Sequence, residues 1–228
     1  MQVEQQIENF KNYMEDKLES IEKISSENDE VLFKKIIYFS FLESLAKAAY
    51  PEDSVKQRFI KFLSEFTKWQ EGNDYCPIHL IKKEKSLSTD ILNTCETKRV
   101  SMIAERNSTY STIERFAINS SEFSEDKDRH KFSYLLYNAR NALVHQFQAP
   151  TEVSEFLKRR TVESPFYEVI GIGGELFSDE LISYRIELIF PNSFLKKLAE
   201  DGLSTFISYC EKEEINPFHN YYSERSIL

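Results

Sequence analysis

Residues 125–147 read EDKDRHKFSYLLYNARNALVHQF, and this stretch decides the fold class. Ser124 followed by Glu125 and Asp126 makes a good helix start, a capping hydroxyl with acids that suit the positive helix end. A helix from Glu125 to Phe147, stopping before Pro150, is expected. At about 100° per residue with Arg140 at zero, Leu135, Leu136, Ala139, Ala142, Leu143 and Phe147 fall in one arc from about 200° to 340°. That arc is the expected core face. The opposite arc, from about 0° to 160°, holds Arg140, Tyr137, Asn141, Tyr134, His145 and Asn138, with Val144 its one aliphatic member. A merely solvated face usually carries Lys and Glu. In its last three turns this face carries neither, but groups that donate hydrogen bonds, stack and transfer protons.

Working outward, the flanking sequence repeats the helical pattern. Ile7, Phe10, Met14, Leu18 and Ile21 recur at three- and four-residue steps, predicting a helix over residues 2–24. Leu32, Ile36, Phe39, Leu42, Leu45 and Ala46 mark a second from Glu30 to Ala49, ended by Pro51. Asp53 or Ser54 caps a third, which carries Val55, Phe59, Phe62, Leu63 and Phe66 and stops near Gly72. Over residues 73–124 the pattern weakens to a helix around Thr89–Arg106 and a polar loop around Asn107–Thr112. Beyond the central stretch, Phe166–Ile170 and Tyr184–Phe190 are β-branched and aromatic runs around a Gly-rich connection, a β-hairpin with a long loop. Pro191 and Asn192 break the pattern and cap a last helix through Phe194, Leu198, Leu203, Phe206, Ile207 and Tyr209. The expected architecture is mostly α: a helical bundle over residues 1–150, then a C-terminal β-hairpin and a final helix over 151–228, packed on the same domain.

Bulk properties bound the function. With 228 residues, one domain with an appendage is expected. Eighteen Phe and twelve Tyr against five Gly and six Pro favour long helices over short strands. Twenty-nine basic and thirty-eight acidic residues leave a net charge of −9, which argues against broad non-specific binding of nucleic acid but not against a small basic cleft. Cys76, Cys95 and Cys210 are an odd number without framework spacing, as expected for reduced thiols in a cytoplasmic protein. Met1–Phe10 is polar and acidic, unlike a signal peptide, and no apolar run suits a membrane span.

Other constellations are weaker. Cys76-Pro-Ile-His79 has a metal-like spacing but lacks a second closely spaced pair, so structural thiols are the expectation and no metal is assigned. Gly171-Ile-Gly-Gly174 has no Lys-Ser/Thr after it and is not a phosphate loop. Lys82-Lys83 and Lys158-Arg159-Arg160 are the best basic clusters; the second follows the central helix closely enough to hold phosphates of a ligand bound there. Glu125, Asp126 and Asp128 fit first-turn charges better than a magnesium cage.

Tyr137-Asn-Ala-Arg-Asn-Ala-Leu-Val-His145 resembles the signature of HEPN-domain ribonucleases: an Arg, a polar residue that is often Asn, a short spacer and a His near the end of a long helix. Arg140, Asn141 and His145 fill those places. The resemblance covers residues 30–150, in a family that is a helical bundle; the hairpin and last helix would be an addition to it. It implies a metal-independent endoribonuclease, needing no cofactor, of a toxin-antitoxin or antiviral defence system. Possible partners are an RNA substrate and an antitoxin or sensor protein. RNA supplies its own nucleophile, the 2′-hydroxyl. Neutral imidazole can take its proton. Guanidinium matches two phosphate oxygens. Asn141 would orient the His or hold the phosphate, and Tyr137, with Tyr134 beside it, would stack on a base. One chain offers one motif Arg and one motif His, so a homodimer with its two-fold axis near this helix is expected, as the resemblance also implies. Some HEPN toxins carry a Tyr two residues after the His that a partner nucleotidyltransferase modifies; Phe147 stands there. The alternative is a non-catalytic HEPN module that binds RNA, a nucleotide or a protein, favoured by the acidic charge. A helical scaffold without a ligand is the third reading.

Overall fold

A computed structural model describes residues 3–25, 29–83, 89–104, 111–112, 127–146, 162–172 and 183–221. The described chain is mostly helical, with a small antiparallel sheet. It divides into two compact units that interleave along the sequence: residues 1–72, 158–163 and 192–228, and residues 73–157 and 164–191. The grouping therefore does not follow the chain-order division at residue 150. Among the described residues no helix is long and apolar enough to cross a membrane.

The first unit contains α1 (Val3–Glu22), α2 (Glu30–Ala49), α3 (Val55–Phe66), α7 (Asn192–Glu213) and α8 (Pro217–Tyr221). α1, α2 and α7 lie close to their expected bounds. Ser54, not Asp53, caps α3: its hydroxyl accepts from Gln57 N, and the Gln57 side chain accepts from Ser54 N in return. α3 ends at Phe66 rather than near Gly72, and a separate 3-10 turn covers Gln70–Asn73. α2 is apolar on most sides because α1, α3, α7 and α8 all pack on it. The core is aromatic. Phe206 of α7 meets Phe10 at 6.1 Å, Phe62 at 6.4 Å and Phe66 at 5.6 Å, each edge-on. α7 is not the last helix. Its end turns through Glu214, at a φ of 53°, and Asn216 then caps α8 by accepting from Phe218 N at 3.0 Å. Pro217 takes the first helical position, where a missing N–H does no harm.

The second unit contains α4 (Pro77–Lys83), α5 (Thr89–Ala104), β1 (Ser111–Thr112), α6 (Phe132–Gln146), β2 (Phe166–Ile172) and β3 (Ser183–Ile189). β2 and β3 pair antiparallel from Phe166↔Ile189 to Ile172↔Ser183, as the two aromatic runs imply. β1 adds a short third strand on β2 from residues expected in a loop. Its two residues are too few to show an alternation. α4 was not expected; its one local signal is Pro77 at the first helical position. Tyr75, Leu80 and Cys95 form a buried cluster that Ile81, Ile91 and Leu92 cover. Tyr167 of β2 is buried beside Phe132 of α6, with ring centroids 6.5 Å apart.

α6 starts later than its sequence suggests. Lys127–His130 is a 3-10 turn, and Lys131 forms an antiparallel bridge with Tyr75. Cys76 N donates to His130 O at 2.8 Å and Phe132 N to Asp74 O at 3.1 Å. These extended-chain bonds engage backbone groups that a helix from Glu125 would use internally, so α6 begins at Phe132. Ser124–Asp126 and Phe147, which were expected to start and end the helix, lie outside the described residues.

Candidate functional site

α6 presents its faces much as the periodicity implies. Leu135, Leu136, Ala139 and Leu143 are buried, and Ala142 is half-buried. On the opposite arc Tyr134, Tyr137, Asn138, Asn141 and Val144 are half-buried, and His145 is exposed. Arg140 departs from this order. Only 8% of its surface is exposed, although it lies off the apolar arc. An arginine reaches that state when its long stem is packed over and only the guanidinium edge stays accessible.

Arg140, Asn141 and His145 come together within the last turns of α6. Arg140 Nη1 donates to Asn141 Oδ1 at 2.7 Å, and the same nitrogen lies 3.4 Å from His145 Nε2. Guanidinium has no acceptor, so as a hydrogen bond this contact has Nε2 as the acceptor. The five-residue step from Arg140 to His145 spans more than one turn, and the length of the arginine side chain closes the gap. Burial pulls the Arg140 guanidinium below its ordinary pKa, though an arginine stays charged in working conditions. One cation, one amide and one imidazole thus sit in contact at the end of a rigid helix. Together they can bind an oxyanion, accept a proton and orient a hydroxyl.

Of the other expected site residues, Tyr134 and Tyr137 lie on the same helix, half-buried. Lys158, Arg159 and Arg160 lie outside the described residues. Cys76 is buried, its Sγ 3.3 Å from the Tyr167 hydroxyl, and all three cysteines are free thiols. Among the described residues no group of three His, Cys, Asp or Glu side chains is placed to hold a metal ion. The groove between the start of α1 and the end of α7 is lined by Glu4, Glu8, Glu211 and Glu214, charges that repel a phosphate backbone.

The sequence reading missed a second imidazole group. His79 of α4 and His130 of the 3-10 turn meet at 2.9 Å between their Nδ1 atoms. They stand 51 positions apart, and no local pattern links the two. His130 and His145 flank opposite ends of α6, about 20 Å apart at 1.5 Å rise per residue, so they cannot serve one reacting phosphate within a single chain.

Comparison with protein-family models, with curated proteins and with solved structures finds no match for this chain.

Proposed function

We propose that the chain is a metal-independent endoribonuclease of the HEPN type, built on a HEPN-like helical bundle, with Arg140, Asn141 and His145 as its reacting group. The observation that carries this reading is the shared contact of one guanidinium nitrogen, Arg140 Nη1, with both Asn141 Oδ1 and His145 Nε2. A guanidinium beside an imidazole on the helix face that resembles the family signature supports the reading.

In the proposed reaction the 2′-hydroxyl of RNA gives its proton to an imidazole Nε2. Its oxygen attacks the adjacent phosphorus and the P–O5′ bond breaks. The products are a 2′,3′-cyclic phosphate and a free 5′-hydroxyl. Arg140 turns from His145 to the phosphate as substrate enters, which frees Nε2 and neutralises charge on the pentavalent phosphorus. Asn141 holds the imidazole or a phosphate oxygen, and Tyr134 and Tyr137 stack on flanking bases. Lys158, Arg159 and Arg160 are proposed as phosphate contacts on the sequence reading alone. The leaving 5′-oxygen needs a proton, and a second copy of His145 across a two-fold axis would supply it, so the reading includes a homodimer. A toxin or antiviral defence role in the cytoplasm, held in check by an antitoxin or sensor protein, follows from the same resemblance.

The test is purified protein with total RNA, beside His145→Ala. Cleavage by the parent and none by the variant, at equal melting temperature, is expected. A fully active His145→Ala would remove the enzyme reading. The burial of Arg140 to 8% exposure favours a second reading, a non-catalytic module binding RNA, a nucleotide or a protein through the same helix. Binding of RNA without cleavage by the parent would select it.

A further inference from the structure

The His79–His130 contact continues through a third side chain. Arg129 Nε lies 3.0 Å from His130 Nε2, and the two imidazole rings are 4.9 Å apart and tilted by 53°. His130 is completely buried and His79 half-buried. An arginine nitrogen can only donate, so His130 Nε2 accepts and the ring proton of His130 sits on Nδ1. That proton faces His79 Nδ1 at 2.9 Å, which therefore accepts and leaves the proton of His79 on Nε2. The hydrogen bonds run in one direction from Arg129 through His130 to His79.

We propose that this Arg129–His130–His79 chain is a proton-sensitive latch, holding the start of α6 to α4 while both rings are neutral and releasing it when the pair gains a proton. A proton added to His79 Nδ1 would set two N–H groups against each other. Reversing that link, so that His79 donates, moves the proton of His130 to Nε2, where it meets the Arg129 N–H. The charged Arg129 guanidinium is the stronger donor and keeps His130 Nε2 an acceptor, so the first proton breaks the His130–His79 link. Charge placed on the buried His130 ring is also unfavourable for lack of solvent.

The latch lies at the joint that sets where α6 begins. His130 O accepts from Cys76 N, and Phe132 N donates to Asp74 O, on either side of the Tyr75–Lys131 bridge. Charged and titratable groups near the pair come from several elements, among them α5, which packs on α4 and brings Cys95 against Tyr75 and Leu80. The 3-10 turn and its exit bring Asp128, Arg129 and Lys131, of which Asp128 and Lys131 pair at 2.8 Å. The segment entering α4 brings Asp74, Tyr75 and Cys76. β2 brings Tyr167, against the Cys76 thiol. A metal between the rings fits less well. A metal-bound imidazole usually donates its other ring N–H to an acceptor, whereas His130 offers that position to an arginine.

Nitrogen-15 NMR of the full chain tests the proposal. At about pH 7.5, His130 should be protonated on Nδ1 alone and His79 on Nε2 alone, with an N–N coupling through the hydrogen bond between the two Nδ1 atoms. At about pH 5 that coupling should vanish, and hydrogen-exchange protection at the Cys76 and Phe132 amides should fall about tenfold or more. His79→Ala should show low protection at both amides already at neutral pH, with no further acid step. Arg129→Gln, which no longer forces a proton off Nε2, should keep the coupling to lower pH than the parent. The reverse tautomers at neutral pH, or unchanged protection at both amides on acidification, would overturn the latch.

Discussion

Replacing Gly202 with alanine should destabilise the protein, against the helix preference of the two residues. Gly202 lies inside α7, and in a helix interior alanine is favoured over glycine by about 1 kcal/mol. A Cβ at this position would stand 2.9 Å from Phe62 Cε1 and 3.1 Å from Phe62 Cζ. Phe62 has no room to swing away. It is 1% exposed, stacks on Phe66 at 5.1 Å and meets Phe206 edge-on at 6.4 Å. Overpacking a close-packed site typically costs about 1–3 kcal/mol. Set against the propensity gain, Gly202→Ala should lose roughly 1 kcal/mol. Urea unfolding read by circular dichroism measures this as a lower midpoint at unchanged slope. Gly202→Ala combined with Phe62→Leu, beside both single variants, should show favourable coupling of about 1 kcal/mol, since the smaller side chain relieves the contact. A Gly202→Ala protein more stable than the parent, or a cycle with no coupling, would refute the close approach of α3 and α7 at this point.

Other outcomes follow from the same structure. His145→Ala should change stability by less than about 1 kcal/mol because the ring is exposed, whereas Arg140→Ala should cost more, about 1–3 kcal/mol, by opening a gap where a long buried stem packed; paired melting curves decide. Burial pushes the Cys95 thiol up to about 11 and the Cys210 thiol up to about 12 from an ordinary 9. With Cys76 buried as well, a thiol reagent at neutral pH should label none of the three until the protein is unfolded. Both thiols are neutral in the fold with raised pKa values, so their contribution to stability is complete below about pH 9 and shrinks as pH rises toward 11 and 12; the melting temperature should fall across that window. Light scattering at micromolar concentration should give a dimer, and a monomer whose RNA cleavage is independent of concentration would contradict the two-fold site.

The parts of the fold legible in the sequence are those whose signal is periodic and local. α1, α2 and α7 show their apolar residues at three- and four-residue steps, Ser54 sits where a cap belongs, and the two aromatic runs become β2 and β3. The motif residues were legible for the same reason, since Arg140, Asn141 and His145 lie within two turns of one helix and need no tertiary information to meet. What stayed hidden depends on distant partners. The late start of α6 is decided by its bridge to Tyr75, more than fifty residues away in sequence. The depth of Arg140 depends on packing over its stem, which helical angles do not encode. The pairing of His79 with His130 is likewise a product of the fold, and only half of it, the Cys76-Pro-Ile-His79 spacing, drew notice at all.

The proposed reaction is tested most directly on a short RNA of defined sequence that the protein cuts, in excess EDTA, beside the same RNA carrying one 2′-deoxy residue at the cut site. The account predicts cleavage of the all-ribose strand to a 2′,3′-cyclic phosphate, identified by mass, and an intact deoxy strand. Cleavage of the deoxy strand, or loss of all cleavage in EDTA, would contradict it.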